Sequence, residues 1–341
     1  MFKYIFAFVV AGISSAVLTP LVIALAYKIG AVDMPDDNRR VHTEPVPRIG
    51  GLAIFLAFLI SIAIFSDLNS QKMFGLIFGS FVIVAGGLID DVKGLDAKPK
   101  LIIQIVAASI LYYYGFRIEF FTNVSNLDLI VNLGFLSYPI TVFWIVGITN
   151  TINLIDGLDG LAVGISTIAA ITLAYVSFTF GRNETLLLSL IIIGANLGFL
   201  PFNFNPAKIF MGDTGALFLG FALAAISIEG VIKSATLIAI FIPLLALGLP
   251  IFDTTFAIMR RIINKRPLME ADKGHLHHRL LSIGMNQKKA VLMLYLISVL
   301  LGIGVVLLVN NLVLNTVIIV GIVAFLVYIP IIVTTRRKDD E

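Results

Sequence analysis

The sequence predicts an all-α polytopic membrane protein, and three observations carry that prediction. Of 341 residues, 59% are hydrophobic and only 13% are charged, about half the charged share of an average soluble domain. Mean hydropathy is +1.01, so too few charged groups exist to cover a water-facing surface. The apolar residues also gather into eleven runs near the length of a bilayer-crossing helix, which needs about 20 residues.

The runs are 4–26, 49–66, 73–89, 101–115, 138–155, 161–180, 185–201, 214–229, 235–258, 290–309 and 312–333. The shorter ones are expected to tilt, or to continue into polar residues that other helices bury. The first is read as a membrane helix rather than a secretory signal. Its apolar run is too long, it contains Pro20, and no small-residue cleavage site follows. Segment 116–137 mixes aromatic and β-branched residues with Asn and Gly turn signals, the composition of a small outer hairpin. No repeat of 20–50 residues and no linker divides the chain, so a single domain over 1–341 is expected.

Eleven spans put the termini on opposite sides. With the N-terminus outside, 19 of the 24 Lys and Arg fall on the inner side, leaving Lys3, Lys72, Arg117, Arg182 and Lys233 outside. That bias predicts an N-out, C-in orientation. It also accounts for the net charge of +3 without nucleic acid as a partner. The chain has no cysteine, which excludes thiol catalysis, disulfides, Fe–S clusters and cysteine-ligated zinc.

The acidic residues are equally one-sided. Asp90 and Asp91 close the third run, Asp156 and Asp159 close the fifth, Asp213 opens the eighth, and Asp253 lies near the inner end of the ninth. A carboxylate at the bilayer centre costs about 2.5–3.5 kcal/mol on insertion scales, and clustering adds repulsion. Asp33, Asp36 and Asp37 read as solvated loop charges. Asp90, Asp91, Asp156 and Asp213 sit instead in the apolar or glycine-rich frames GGLIDDVKG, NLIDGLDGLA and FMGDTGA. Asp253 is intermediate, since a lone buried Asp can simply pair with Arg260 or a lysine. Converging carboxylates with no cysteine and only four histidines suit a hard divalent cation, Mg²⁺, which is held by one or two carboxylates plus substrate phosphates. Arg48, Lys93, Lys98, Lys100, Lys208 and Arg279 share that side and fit a phosphate ligand. Together they point to Mg²⁺-dependent phosphoryl chemistry at the inner surface.

Asn150, Asn153 and Asp156 recur every three residues and stay on one broad helix face. The glycines of DGLDG then permit a tight turn presenting Asp156 and Asp159. Phe210, three residues before Asp213, is either a core phenylalanine or a ring that stacks a nucleobase. The most basic inner loop, 259–289, holds His275, His277, His278 and Arg279 in HLHHR. Hydrogen bonding to phosphate or sugar is favoured there over a zinc site.

In combination the motifs resemble a known family. PVPRIGG (45–51), Asp90-Asp91, NTINLIDGLDGLA (150–162), NFNPAKIFMGDTGA (203–216) and HLHHR (275–279) are similar, in that order, to those of the polyprenyl-phosphate N-acetylhexosamine-1-phosphate transferases. The resemblance spans most of the chain. The peptidoglycan branch, which uses UDP-N-acetylmuramoyl-pentapeptide, carries three consecutive histidines and ten spans. HLHHR and eleven spans resemble the branch that uses UDP-N-acetylglucosamine and undecaprenyl phosphate, and so imply a multi-pass enzyme of the bacterial cytoplasmic membrane with its site on the cytoplasmic face. By that resemblance Mg²⁺, with Mn²⁺ as a substitute, sits on Asp213, Asn153 and Asp156. Asp159, Asn203 and Phe210 hold the uridine. His277, His278 and Arg279 contact the diphosphate or the sugar, and Arg48, Asn153 and His275 complete the expected substrate-binding residues. Asp90, Asp91, Asp156 and Asp213 are the catalytic set, with Asp90 or Asp91 serving the lipid phosphate. A homodimer is left open. The rivals from other classes are an ion-coupled transporter, which favours midplane sites and inverted repeats, an intramembrane aspartyl protease and a CDP-alcohol phosphotransferase.

Overall fold

The computed structural model describes residues 2–34, 45–122, 130–232, 238–263 and 274–339. In chain order these form α1 (Phe2–Ile29), β1 (Val32–Asp33), β2 (Val46–Pro47), α2 (Gly51–Phe65), α3 (Gln71–Lys93), α4 (Ala97–Tyr113), β3 (Phe120–Thr122) and β4 (Ile130–Asn132). There follow α5 (Ser137–Ile155), α6 (Leu161–Thr179), α7 (Asn183–Asn203), α8 (Gly212–Ser227), α9 (Ile238–Ala246), α10 (Gly248–Ile263), α11 (Leu276–Ser282), α12 (Gln287–Val309) and α13 (Val313–Asp339). Among the described residues, eight helical segments are long and apolar enough to cross a membrane, and α2 is a shorter apolar helix. The chain is an all-α, multi-pass membrane protein.

Each expected apolar run meets helix, with one difference. The ninth run becomes two helices, α9 and α10, and residues 235–237 lie outside the described residues. Pro250 explains the interruption at Leu247: it has no N–H to offer the Ala246 carbonyl, and its ring crowds that turn. On either side, Leu247 N–H still reaches the Pro243 carbonyl and Ile251 N–H the Leu247 carbonyl. The expected hairpin is present as β3 paired antiparallel with β4, Phe121 opposite Val131; its turn lies outside the described residues. Two elements were not anticipated. The β1–β2 ribbon pairs Val32 with Pro47, and α11 sits within the basic loop, of which 264–273 lie outside the described residues.

The core is built around α8, whose residues from Thr214 to Ser227 are all buried. A helix that is apolar on every face belongs inside a bundle. Helices α2, α3, α5, α6 and α7 pack around it. Backbone approach is close enough that a Cβ on Gly51 would strike Gly215, one on Gly87 would strike Thr214, and one on Gly220 would strike Thr149. Small residues of this kind let helices gain dispersion contacts where lipid removes the usual hydrophobic advantage. Phe218 adds edge-to-face contacts with Phe55 and Phe58, centroids 5.3 and 5.1 Å away. The chain's reversals bring the ends of α3, α5 and α7 and the starts of α4, α6, α8 and α12 to one end of the bundle, where their polar residues bond to one another.

Candidate active site

Gly212 enters α8 at φ +67°, a left-handed value, and a Cβ there would collide with the Arg48 carbonyl and the Asp91 carboxylate. Glycine therefore lets the chain turn tightly beneath Asp91. Asp91 in turn caps the start of α8 from another helix. Its Oδ1 accepts from Asp213 N–H at 2.9 Å, and its Oδ2 accepts from Thr214 N–H at 2.9 Å and Thr214 Oγ1–H at 2.6 Å. The first N–H groups of a helix lack intrahelical partners, and a carboxylate satisfies them while meeting the positive end of the dipole. Arg48 lies 3.8 Å from both Asp91 and Asp33. Gly50 and Gly51 N–H bond the Phe210 and Met211 carbonyls, and Phe210 N–H bonds the Pro47 carbonyl.

Asp213 is thereby fixed at the bundle end. Its Oδ2 meets Lys100 Nζ at 2.8 Å and its Oδ1 accepts from Asn153 Nδ2 at 3.1 Å. The same lysine reaches Asp90 Oδ2 at 2.5 Å, and Asp90 Oδ1 accepts from Leu95 N–H at 2.6 Å in the α3–α4 turn. Asp90, Asp91, Asp213, Asn153 and Lys100 thus form one knot.

Asp156 differs. It follows α5, and among the described residues its carboxylate has no hydrogen-bond partner. Burial first, then the charges of Asp213, Asp91 and Asp159, push it up to about 8. It lines a cavity of about 670 Å³ together with Arg48, Asp159, Asn203, Phe210 and Asp213. Asp159 and Asn203 brace the cavity wall: Asp159 Oδ2 accepts from Asn205 Nδ2 at 2.8 Å and Ala207 N–H at 3.1 Å, and Asn203 Nδ2 donates to the Ile209 carbonyl at 2.9 Å.

The histidine segment reaches this site from behind. His277 packs so closely on Gly157 that a Cβ there would meet its Nε2. His277 is 2% exposed and its Nδ1 has no partner among the described residues. Burial, followed by the neighbouring His278, lowers it to about 4, so the ring is neutral at pH 7. His275 is buried and held by Asp253, His278 is exposed, and Arg279 Nε donates to the Gly274 carbonyl. Arg279 borders a second, apolar cavity of about 880 Å³ between α10, α12 and α13 rather than the first. The structure therefore gathers the predicted carboxylates, Asn153, Asn203, Phe210 and Arg48, and brings His277 to their turn through Gly157.

Three residues at the site were not among the expected site residues. Lys100 was visible only as one cation among several on its side. Asn205 lies inside the NFNPAK motif. It donates to Gln287 Oε1 at 2.8 Å as well as to Asp159, and nothing in the sequence around Gln287 announces that contact.

Fold and site together define a membrane enzyme of anionic substrates: acidic oxygens interleaved with lysine and arginine, at helix ends, beside a cavity. Residues 73–231 match the model of Glycosyl transferase family 4. The chain is 46% identical over 308 residues to the probable undecaprenyl-phosphate N-acetylglucosaminyl 1-phosphate transferase of Bacillus subtilis (strain 168), covering 90% of this chain and 86% of that one. It is 36% identical to the decaprenyl-phosphate N-acetylglucosaminephosphotransferase of Mycobacterium tuberculosis (strain H37Rv), over 84% of this chain and 78% of that one. A phospho-N-acetylmuramoyl-pentapeptide-transferase of Listeria monocytogenes is 35% identical over 67% of this chain and 75% of its own. The chain belongs to Glycosyl transferase family 4, among its polyprenyl-phosphate N-acetylhexosamine-1-phosphate transferases.

Proposed function

We propose that this protein transfers N-acetylglucosamine 1-phosphate from UDP-N-acetylglucosamine to undecaprenyl phosphate, releasing UMP and starting lipid-linked cell-surface glycans. The observation that carries the reading is Asp213, fixed at the α8 N-terminus between Lys100 and Asn153 and bordering the 670 Å³ cavity. The 46% identity across 90% of the chain supports the donor and acceptor. One domain, eleven spans, N-out and C-in orientation and a cytoplasmic site belong to the same proposal, as does a homodimer.

Mg²⁺ fits the donor set. Asp213 and Asp156 offer carboxylate oxygens and Asn153, whose Nδ2 donates to Asp213, carries an amide oxygen as well, and the five aspartates 90, 91, 156, 159 and 213 outnumber Lys100 and Arg48. Among the described residues no three His, Cys, Asp or Glu side chains are grouped so as to hold a metal by themselves; Mg²⁺ ordinarily takes one or two carboxylates and completes its shell with substrate phosphates and water. Asp213, Asp156 and Asn153 Oδ1 would hold it. When bound, it supplies charge neutralisation for the diphosphate and the departing UMP.

The chain's own residues do the rest. Asp91 holds Asp213 in place. Lys100, tied to Asp90 and Asp213, offsets repulsion between two anionic reactants. Phe210 faces the cavity where it can stack on uracil. A lipid phosphate oxygen bonds to the β-phosphorus, and the bond from that phosphorus to the UMP oxygen breaks. The acceptor monophosphate, with a second pKa of about 6, is largely a dianion at pH 7, so no strong base is required.

The test follows UMP release in mild detergent with undecaprenyl phosphate, Mg²⁺ and UDP-N-acetylglucosamine. Release should need all three and fall at least about 100-fold in Asp213→Asn, the scale of losing a group that stabilises developing charge. Turnover of UDP-N-acetylmuramoyl-pentapeptide alone would reassign the donor. No release from any UDP-sugar by folded protein would end the reading.

A further inference from the structure

Asp253 is a largely buried acidic side chain that the mechanism above does not use. It lies on α10, just beyond the interruption at Leu247, and its side chain is 10% exposed. Its Oδ2 accepts from His275 Nδ1–H at 2.8 Å, and its Oδ1 accepts from Leu276 N–H at 2.8 Å. A single carboxylate therefore grips both the ring of His275 and the first backbone N–H of α11. It also fixes the His275 tautomer with the proton on Nδ1. From His275 the order is passed on by packing. The His275 and His277 rings are nearly parallel, 5° apart with centroids at 5.7 Å, and His277 closes on Gly157 in the turn between Asp156 and Asp159. At the first residue of α11 Leu276 is 6% exposed and toward its other end Leu280 is 1% exposed, so the short helix is seated on the core.

We propose that Asp253 is a positioning residue for the donor side of the reaction: it docks the histidine segment against the Asp156–Asp159 turn and so sets the geometry in which UDP-N-acetylglucosamine is held. The inference rests on the donor assigned above. It separates the two substrates, because Asp253 reaches the turn of Asp156 and Gly157 through the histidines, whereas Lys100, assigned to offset charge on the phosphates, is held through Asp90 and Asp213.

Asp253→Ala and Asp253→Asn discriminate. Alanine loses both contacts. Asparagine keeps its oxygen on Leu276 N–H, but it turns an N–H toward His275 Nδ1 and so forces the opposite tautomer. We expect Asp253→Ala to raise KM for UDP-N-acetylglucosamine tenfold or more while KM for undecaprenyl phosphate stays within twofold. Asp253→Asn should recover part of that loss. Amide hydrogen exchange on the full-length protein gives an activity-free readout: residues 275–283 and 156–160 should exchange faster in Asp253→Ala, and 275–283 should be largely restored in Asp253→Asn. An unchanged donor KM, equal rises in both KM values, or unaltered exchange at 156–160 would overturn the proposal. Should the wild type release no UMP from UDP-N-acetylglucosamine, the donor reading fails by itself, and the exchange experiment still decides whether Asp253 docks the segment onto the turn. If Asp253→Ala does not fold, Asp253→Asn carries the test alone with smaller effects. Its donor KM should still rise while the acceptor KM holds, and 156–160 should still exchange faster than in the wild type; failure of either overturns the proposal.

Discussion

Asp91 and Asp156 both feel the charge of Asp213, yet the fold treats them in opposite ways. Asp91 is 4% exposed and accepts three hydrogen bonds that pin the start of α8. Asp156 borders the cavity with its carboxylate unpartnered among the described residues, and its turn leans on a histidine whose Nδ1 is also unpartnered. The knot around Asp91, Lys100 and Asp213 is a finished structure in its hydrogen bonds, each of its carboxylates having partners within the chain. The turn around Asp156 and His277 is unfinished. A polar group held from water without a partner costs free energy, so a fold that leaves Asp156 unpartnered at the cavity wall, with the buried His277 packed behind its turn, has left room for a ligand to complete Asp156. The comparison makes a general prediction: substitutions in the knot lower stability first, and substitutions in the turn lower activity with little loss of stability.

The largest expected effect is therefore Asp91→Ala. It strands the N–H groups of Asp213 and Thr214 and the Thr214 hydroxyl in a buried site. Hydrogen bonds to a charged group contribute about 1.5–3 kcal/mol each, so the loss should be about 3 kcal/mol or more. Thermal unfolding in detergent should show a markedly lower midpoint and poor accumulation of folded protein. Asp91→Asn, with one acceptor oxygen, should recover only part. Wild-type stability in Asp91→Ala would mean that the knot is not what holds α8.

Much of this comparison was legible in the sequence, and the reasons are physical. Carboxylates in apolar, glycine-rich frames are costly enough to announce themselves, so Asp90, Asp91, Asp156 and Asp213 stood out. What was not legible is which carboxylate binds the protein and which awaits a ligand, because that depends on contacts between residues 122 and 123 positions apart, such as Asp91 with Asp213 and Thr214. Helix existence followed from runs of apolar residues. The interruption before Pro250 follows from the missing N–H of that proline, a local signal available but overridden by the uninterrupted apolar run. Asp253 was legible as a buried acid, but its partner, His275, lies 22 residues away and carries no periodic signature. Lys100 resembled every other inner cation until folding put it between two aspartates.

A smaller effect is expected from acid. His277 is neutral and buried, with its folded-state pKa lowered to about 4 from an ordinary 6.5. The unfolded chain therefore binds the extra proton first. Stability from this group is complete above pH 6.5 and is lost as pH falls toward 4. Between pH 7.5 and 5 the loss amounts to about 2 kcal/mol. His277→Gln, uncharged across that range, should remove this slope. An unchanged acid dependence in the variant would mean that His277 is not the buried titrating group.

Asp156→Asn should have the smallest effect on stability, and its sign is the sharpest form of the comparison. Burial and neighbouring charge raise this carboxyl to about 8. The folded state therefore holds its proton more tightly than the unfolded state does. Any stability from the group is present at low pH and is lost as pH rises through about 8, where the ionised form faces Asp213, Asp91 and Asp159 uncompensated. Without Mg²⁺ at pH 8, Asp156→Asn should unfold at the wild-type temperature or a few degrees above it, about the shift that 1 kcal/mol produces in a domain this large. Added Mg²⁺ should raise the wild-type midpoint and leave the variant's nearly fixed, because the cation supplies the missing partner to a carboxylate and cannot do so for an amide. Because the cation displaces a proton, its apparent affinity for the wild type should climb between pH 6 and 8, by at most about tenfold per pH unit. UMP release by the variant should drop by about 100-fold or more even though the protein is no less stable. A variant that is both destabilised and still active would place Asp156 in the finished part of the structure, and the division between knot and turn would fail at its central residue.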